Sequence, residues 1–465
     1  MSTVLDPSVG RVLIVGLGRV TGAAAVEALL ELGVQVRVAE ANVTEEHLRT
    51  ADSMRRAGVE VMFGEPDPDL VDWADLIIPS PGVPPANPLL ARASAVGRGV
   101  WSEIELGSRF ATGPILAVTG TNGKTTTATL LEAILNDAGL PALAAGNIGF
   151  PLVRAARSAQ PGQRLVVEVS SFQLAFIDSF RPEVAVVLNV AEDHYDWHDG
   201  YQDYLSAKAR ITENQSHDQL LVVAVDDPGC LQIAARSAAR IAGFGLSAPE
   251  ELGERLQQSA GRAAEKVAGV REGRLVVQSS SGELELMKLE DIRLQGLHNI
   301  ENVQAACLAA LECGADPASI AGTVSRFESL PHRTSLVAEI NGVRYIDDSK
   351  ATNPHATLKA MEGLDRVILI AGGRAKGLDL SPLAGVRAAL RGVVVTGEAA
   401  AQLKELFHGV PCQHAPIVED AVTMAAGMAQ AGDTVLLSPA CSSLDQYSDY
   451  AERGRRFAEA VKSLC

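Results

Sequence analysis

The chain has no surplus of basic residues, no paired cysteines and no long uninterrupted apolar run. Each absence closes a class of function. Its 40 Lys and Arg against 57 Asp and Glu give a net charge of -17, the wrong sign for a general DNA- or RNA-binding surface, so no nucleic-acid partner is expected. Small anionic ligands stay open, because a few lysines in a cleft can override the global field. The six cysteines are Cys230, Cys307, Cys313, Cys412, Cys441 and Cys465, and none sits in a CxxC pair. That spacing fits neither a zinc site nor a disulfide framework, and a reducing cytoplasm is the simplest compartment. The start shows no basic segment leading into an apolar run and cleavage site. Val12 to Leu30 is apolar-rich but is interrupted by Arg19, Glu27 and glycines. It reads as strand, turn and helix, with no membrane insertion. Internal repeats and low-complexity tracts are absent as well.

What is present is an ordinary globular composition, 47% apolar and 21% charged, which excludes disorder and collagen-like structure. At roughly 150 residues per domain, 465 residues suggest three domains. Short β-rich runs alternate with helical patterns, which predicts an α/β protein with parallel sheets. Strands are predicted at 11–16, 35–40 and 76–79, then at 115–120, 165–169, 184–189 and 219–225. Residues 245–272 read as helix and surface loop, and 274–278 with 283–289 as a hairpin. A helix over 300–313 has Ile300, Val303, Cys307, Ala310 and Leu311 on its apolar face. Further strands are predicted at 343–346, 367–371, 392–396 and 434–438. The proposed domains are 1–104, 105–329 and 330–465.

The sharpest local signal is TGTNGKTTT, Thr119 to Thr127. It follows an apolar strand and opens a helix predicted over 128–138. Glycines let backbone N–H groups approach phosphates, and a helix N-terminus favours negative charge. Lys124 would reach the terminal phosphates and Thr125 would meet Mg²⁺. The strict pattern would place glycine where Val118 stands, so this is a variant phosphate loop. The bland alternative is a Gly/Asn turn with an incidental lysine. GLGRVTG, Gly16 to Gly22, is weaker, because Thr21 holds the third glycine position of the dinucleotide pattern. With Glu40 ending the second strand, it admits an NAD site, another ligand or none.

Other clusters also follow strands. Glu168 in VVEVSSFQL sits where α/β sheets place ligands; it is metal-bound or paired, or else a rim glutamate. Asp193, His194, Asp196 and His198 crowd one loop, which suits a divalent cation or is simply solvated. Lys208 reads by default as a surface charge. DDSKATNPHA (347–356), AGGRAKG (371–377, with Arg374 and Lys376) and LLSPACSSLDQYSDYAERG (436–454) lie at strand ends in the last third. Each could be a capped loop; together they suggest a site for a small anionic molecule.

In their order, TGTNGKTTT, EVSSFQL, NVAEDHYDWH, HNIENVQAA, LPHR, DDSKATN and SPACSSLDQY resemble the Mur ligases of bacterial cell-wall synthesis. The likeness spans nearly the whole chain. The phosphate loop is shared with folylpolyglutamate synthase, whereas DSKATN with SPACSSLDQ is more specific to the D-glutamate-adding branch. The resemblance implies a Rossmann-like N-terminal domain that binds a UDP-sugar, a central P-loop-type ATP domain and a Rossmann-like C-terminal amino-acid domain. It implies ATP-driven addition of D-glutamate to UDP-N-acetylmuramoyl-L-alanine in peptidoglycan precursor synthesis. The alanyl carboxylate would attack the γ-phosphate, and the D-glutamate amine would then displace phosphate from the acyl phosphate.

By the same resemblance, Gly120, Thr121, Asn122, Gly123, Lys124, Thr125, Thr126, Asn299, Asn302, Arg333, Asp348 and Lys350 are ATP contacts. Lys124, Glu168, His194 and Lys208 are catalytic. Thr125 and Glu168 would hold one Mg²⁺ and His194 a second, with Lys208 as a metal-binding carbamate; this overturns the surface default. Thr21, Ser80, Pro81, Gly82, Asn147, Gln173 and His194 match contacts to the UDP-sugar, and Thr352, Lys376, Ser443, Leu444 and Tyr450 to D-glutamate. His332 and Arg333 fall at the second boundary, which implies closure of the third domain over ATP. The expected unit is a monomer. GLGRVTG is one residue longer than the usual family turn. VAEAN at 38–42 lacks the expected Asp-Thr-Arg, and Tyr450 replaces an expected Phe. The competing readings are a related ligase with another amino acid or a folate acceptor, an NAD-dependent oxidoreductase, and a non-catalytic nucleotide-binding module.

Overall fold

The computed structural model describes residues 4–18 and 21–464. Arg19 and Val20 of the glycine turn, and Cys465, lie outside the described residues. Three sheets follow one another along the chain. The first contains β1 (Arg11–Val15), β2 (Gln35–Glu40), β3 (Glu60–Phe63), β4 (Leu76–Pro79) and β5 (Gly99–Val100), in the order β3-β2-β1-β4-β5. The second contains β6 (Ile115–Thr119), β7 (Ala142–Gly146), β8 (Arg164–Glu168), β9 (Val184–Val187), β10 (Leu220–Ala224), β11 (Arg240–Phe244), β12 (Lys266–Arg271), β13 (Arg274–Ser279) and β14 (Gly282–Lys288). Its order is β14-β13-β12-β11-β10-β9-β6-β8-β7. The third contains β15 (Ser335–Ile340), β16 (Val343–Asp347), β17 (Val367–Gly372), β18 (Leu390–Thr396), β19 (Cys412–His414) and β20 (Thr434–Leu437), in the order β15-β16-β20-β17-β18-β19. All pairings are parallel except the β12–β13–β14 meander and the β15–β16 hairpin.

The helices that matter for the site are α1 (Thr21–Glu31), α2 (Glu103–Phe110), α3 (Lys124–Asp137), α4 (Leu152–Ser158), α5 (Ser171–Leu174), α6 (Tyr201–Ala209), α7 (Leu297–Glu312), α8 (Pro354–Met361) and α9 (Tyr450–Lys462). Strands β6, β9 and β10 are buried at every position. This is what a parallel strand covered on both faces requires, and why these segments read as continuous apolar runs. In an open parallel sheet, ligands gather at the strand C-terminal ends. Those ends are Thr119, Glu168 and Ala224 in the second sheet, and Asp347 and Leu437 in the third.

Several expectations change. Residues 266–271, placed in a surface loop, form β12 and pair in parallel with β11; only Pro249–Ala260 of that stretch is helical. The central helix begins at Lys124 rather than at 128. Gly123 at φ +86° turns the chain into it, a conformation open to glycine without a Cβ penalty. The 104/105 division lies inside α2. This helix serves two cores: Ile104 packs in the central one, and Leu106 joins the N-terminal one together with Val153 of α4. Gly107 permits the approach, since a Cβ there would lie 2.7 Å from the Leu152 side chain.

Candidate active site

The loop between β6 and α3 turns its backbone around a cation. Lys124 Nζ donates to Gly120 O at 2.9 Å and to Thr121 O at 3.0 Å. Lys208, from α6, donates to the same Gly120 oxygen at 2.9 Å. Its residue is 1% exposed, so the surface default for this lysine fails. Burial, and then the neighbouring Lys124 charge, hold the Lys208 amine well below its ordinary pKa. Burial also lowers Lys124, against the opposing pull of Glu168 and Asp193.

Glu168 ends β8 and is buried. Its two oxygens accept from Thr125 Oγ1 at 2.7 Å and from Asn147 Nδ2 at 2.8 Å. A buried carboxylate that accepts from a hydroxyl of the phosphate loop and from an amide is a hard-oxygen donor suited to Mg²⁺. Among the described residues no group of three His, Cys, Asp or Glu side chains forms a metal cage. Mg²⁺ needs none, since it is commonly held by one or two carboxylates plus substrate phosphates and water.

The third sheet closes the site from the other side. Arg333 Nη2 donates to Thr125 Oγ1 at 2.6 Å. Asn353 caps α8 through Ala356 N–H, and its Nδ2 donates to Asp193 Oδ2 at 2.8 Å. Asn122 of the phosphate loop meets His355 Nδ1 at 2.9 Å. Lys376 Nζ lies 3.3 Å from Asp193 Oδ1. Burial, with Arg333 and Lys124 nearby, pushes Lys350 down to about 7. Burial pushes Asp348 up to about 7, although Ser438 and Thr334 donate to it. His194 is pushed down to about 4 by burial, so its imidazole is neutral at pH 7.

Between these walls lies a cavity of about 580 Å³. Of the residues expected from sequence, Thr121 to Thr126, Asn147, Glu168, His194, Asn299, Asn302, Arg333, Asp348, Lys350 and Thr352 line it. Lys208 lies beneath the floor. Lys376 reaches the wall through Asp193, and the Tyr450 ring lies 3.8 Å under Lys350 Nζ. Ser443 is buried, while Leu444 is 59% exposed and stands apart from the cavity lining. Gln173 is buried in a capping box with Ser170, leaving its Nε2 unpartnered. Ser80 donates to Gly16 O at 2.6 Å. It flanks a second, smaller cleft of about 200 Å³ lined by Gly16, Glu40, Asn42 and Gly82. Thr21 opens α1, and Pro81 is half-buried.

Both Glu40 oxygens are taken by backbone, Leu17 N–H at 2.7 Å and Asn42 N–H at 2.8 Å. The carboxylate braces the glycine turn, and each oxygen keeps one further acceptor site toward the second cleft. Sequence reasoning also missed wall residues. Asp227 accepts from Val190 N and Cys230 N; its DDPG context after β10 is a helix-cap signal. His355 had no signal beyond its place in the DDSKATNPHA turn.

Three family profiles match the chain in sequence: the Mur ligase MurD-like N-terminal domain over residues 10–102, the Mur ligase middle domain over 118–310 and the Mur ligase glutamate ligase domain over 332–441. The UDP-N-acetylmuramoylalanine--D-glutamate ligase of Trichlorobacter lovleyi is 41% identical over 455 residues, covering 97% of this chain and 98% of that protein. The protein of the same description from Geobacter metallireducens is 41% identical over 457 residues, 97% of each. Among solved structures, MurF from Acinetobacter baumannii superposes with a TM-score of 0.60 at 15% identity, over 98% of this chain and 95% of that one. UDP-N-acetylmuramate-alanine ligase MurC from Thermotoga maritima does so with a TM-score of 0.56 at 19% identity, over 98% and 100%. These two share the fold.

Proposed function

The chain belongs to the Mur ligase family, and from that premise we propose that it adds D-glutamate to UDP-N-acetylmuramoyl-L-alanine with hydrolysis of ATP. The observation that carries this is one cavity in which the phosphate loop meets Arg333, Asp348, Lys350 and Thr352 of the third domain. It is supported by 41% identity, over nearly the full length, to proteins described by that activity.

Mur ligases use ATP and Mg²⁺. A carboxylate is a poor electrophile, and phosphorylation gives it a leaving group. Transfer crowds several anionic oxygens together, so positioned cations lower the barrier. Lys124, Arg333 and Lys350 supply those charges around the triphosphate. Asn299 and Asn302 of α7 would take the nucleoside end, and Asp348 the ribose. Thr125 and Glu168 would hold one Mg²⁺, and His194 with carbamylated Lys208 a second; the metal supplies charge neutralisation for the transferring phosphoryl group. A depressed amine pKa favours carbamate formation, because only the neutral amine attacks CO₂. Lys376, Thr352, Ser443, Leu444 and Tyr450 would orient D-glutamate. Thr21, Ser80, Pro81, Gly82, Asn147 and Gln173 would align the UDP-sugar from the second cleft toward the phosphate loop. The proposed unit is a monomer, and dependence on ATP fits a cytoplasmic location.

The test is phosphate release from ATP with UDP-N-acetylmuramoyl-L-alanine, comparing D-glutamate, L-glutamate, L-lysine and diaminopimelate. Release specific to D-glutamate is the expected result. Release with another amino acid keeps the chemistry and moves the specificity; none with any acceptor overturns the assignment.

A further inference from the structure

His198 lies outside the cavity wall, and its side chain is fully buried. Its Nδ1 is 2.8 Å from Asp203 Oδ2 and its Nε2 is 3.0 Å from Ser171 Oγ. A carboxylate only accepts, so Nδ1 carries the proton and Nε2 accepts from the Ser171 hydroxyl. Carboxylate, imidazole and hydroxyl in this order make the relay of a serine hydrolase. Ser171, however, is 2% exposed, and no scissile carbonyl can reach its oxygen. The two hydrogen bonds act instead as a fastening between two segments. Ser171 opens α5, three residues beyond Glu168. Asp203 is in the first turn of α6, the helix that carries Tyr204 and Lys208.

The rings continue the connection. His198 stacks on Phe172 at 5.8 Å and stands edge-on to Tyr204 at 5.2 Å. Phe172 meets His194 edge-on at 4.7 Å. The Tyr204 hydroxyl donates to Thr121 Oγ1 at 3.1 Å, and Lys208 Nζ lies 4.5 Å over the Tyr204 ring. A shift of the imidazole would therefore be felt at Lys208, at His194 and at the phosphate loop.

We infer that His198 is a positioning residue for the ligation: through Asp203 and Ser171 it fixes α6, and with it Lys208, against the Glu168 segment. The inference rests on the proposed ligase reading. His198→Ala lowers kcat about 10²-fold, the effect of misplacing a group by about 1 Å, while KM for D-glutamate stays within about twofold. Asp203 is half-exposed, so Asp203→Ala is the fold-safe variant, and it lowers kcat about tenfold. Asp203→Asn keeps an oxygen to accept from Nδ1–H and restores kcat to within about threefold of the parent. A readout independent of turnover is the ¹³C-bicarbonate NMR signal of a lysine carbamate, which His198→Ala loses and Asp203→Asn retains. A purely structural role predicts a lower melting temperature with kcat per folded molecule and carbamate intact, and that result overturns the inference. A parent protein that releases no phosphate defeats the ligase reading alone, since the carbamate arm still decides His198. A parent that takes up no label defeats the carbamate reading, and the kcat and rescue arms then decide.

Discussion

At the scale of single residues, the cavity is defined by lysines whose pKa burial lowers and neighbouring carboxylates partly raise again. Lys124 lies at the centre of this balance. Lys124→Ala is expected to lower kcat at least about 10³-fold, because a preorganised charge at the transferring phosphoryl group is lost. Stopped-flow phosphate release would show this, and activity within tenfold of the parent would remove Lys124 from the reaction. Lys208→Ala is expected to be severely impaired, since no carbamate can form. The test is whether high bicarbonate restores the parent after CO₂ depletion while leaving Lys208→Ala inactive. Lys208 also marks the limit of reading residues alone. Its helix is polar enough to suggest a surface, and only the packing of α6 against the phosphate loop buries the amine. Glu168 was legible, because a carboxylate ending an apolar strand has few structural explanations. His355 was not, since its contact to Asn122 spans two sheets and leaves no local pattern.

At the scale of elements, the strands that read clearly were those rich in Val, Ile and Leu between turn residues, such as β1, β9, β10 and β17. Seven strands were missed, β3, β5, β7, β11, β12, β15 and β19; three of them, ALAAG (β7), RIAGF (β11) and KVAGVR (β12), share a composition. Alanine and glycine have weak strand preference, and only burial between covering layers selects this conformation for them. Helix α2 carries a separate consequence. Glu103 is buried, accepts from Val153 N at 2.7 Å, and leaves Oε2 unpartnered. Burial pushes its pKa up to about 7 from 4.5. The folded state thus binds a proton that the unfolded state has released between these values. Stability from this group is full below about pH 4.5 and is lost as pH rises through 7. Glu103→Gln keeps the acceptor and removes the charge. The variant should unfold at higher urea than the parent at pH 8, with a stability gain of about 3 kcal/mol that vanishes at pH 4.5. A constant difference across that range would refute the assignment.

At the scale of the whole molecule, polar contacts join the third domain to the central one at the cavity, among them Arg333 to Thr125, Asn353 and Lys376 to Asp193, and Asn122 to Asn353 and His355. Such contacts exchange readily with water and ligand, which suits a lid that must release product. Asp193 accepts two of them. Asp193→Ala is expected to enlarge the radius of gyration of the ligand-free protein in small-angle scattering, and an unchanged profile would show that closure does not depend on it. The N-terminal domain is attached differently. Its core takes in Leu106 and Val153, and α1 meets α4 through Glu27–Arg154 and Glu31–Arg157. That shared core bears on how such proteins can recombine. A chimera spliced at 104/105 would draw Ile104 from one parent and Leu106 from the other, each fitted to a different neighbour. The heritable module therefore runs through Phe110 and includes the distant 152–158 helix. Grafts that carry both pieces should stay folded, and those that carry only the contiguous stretch should not.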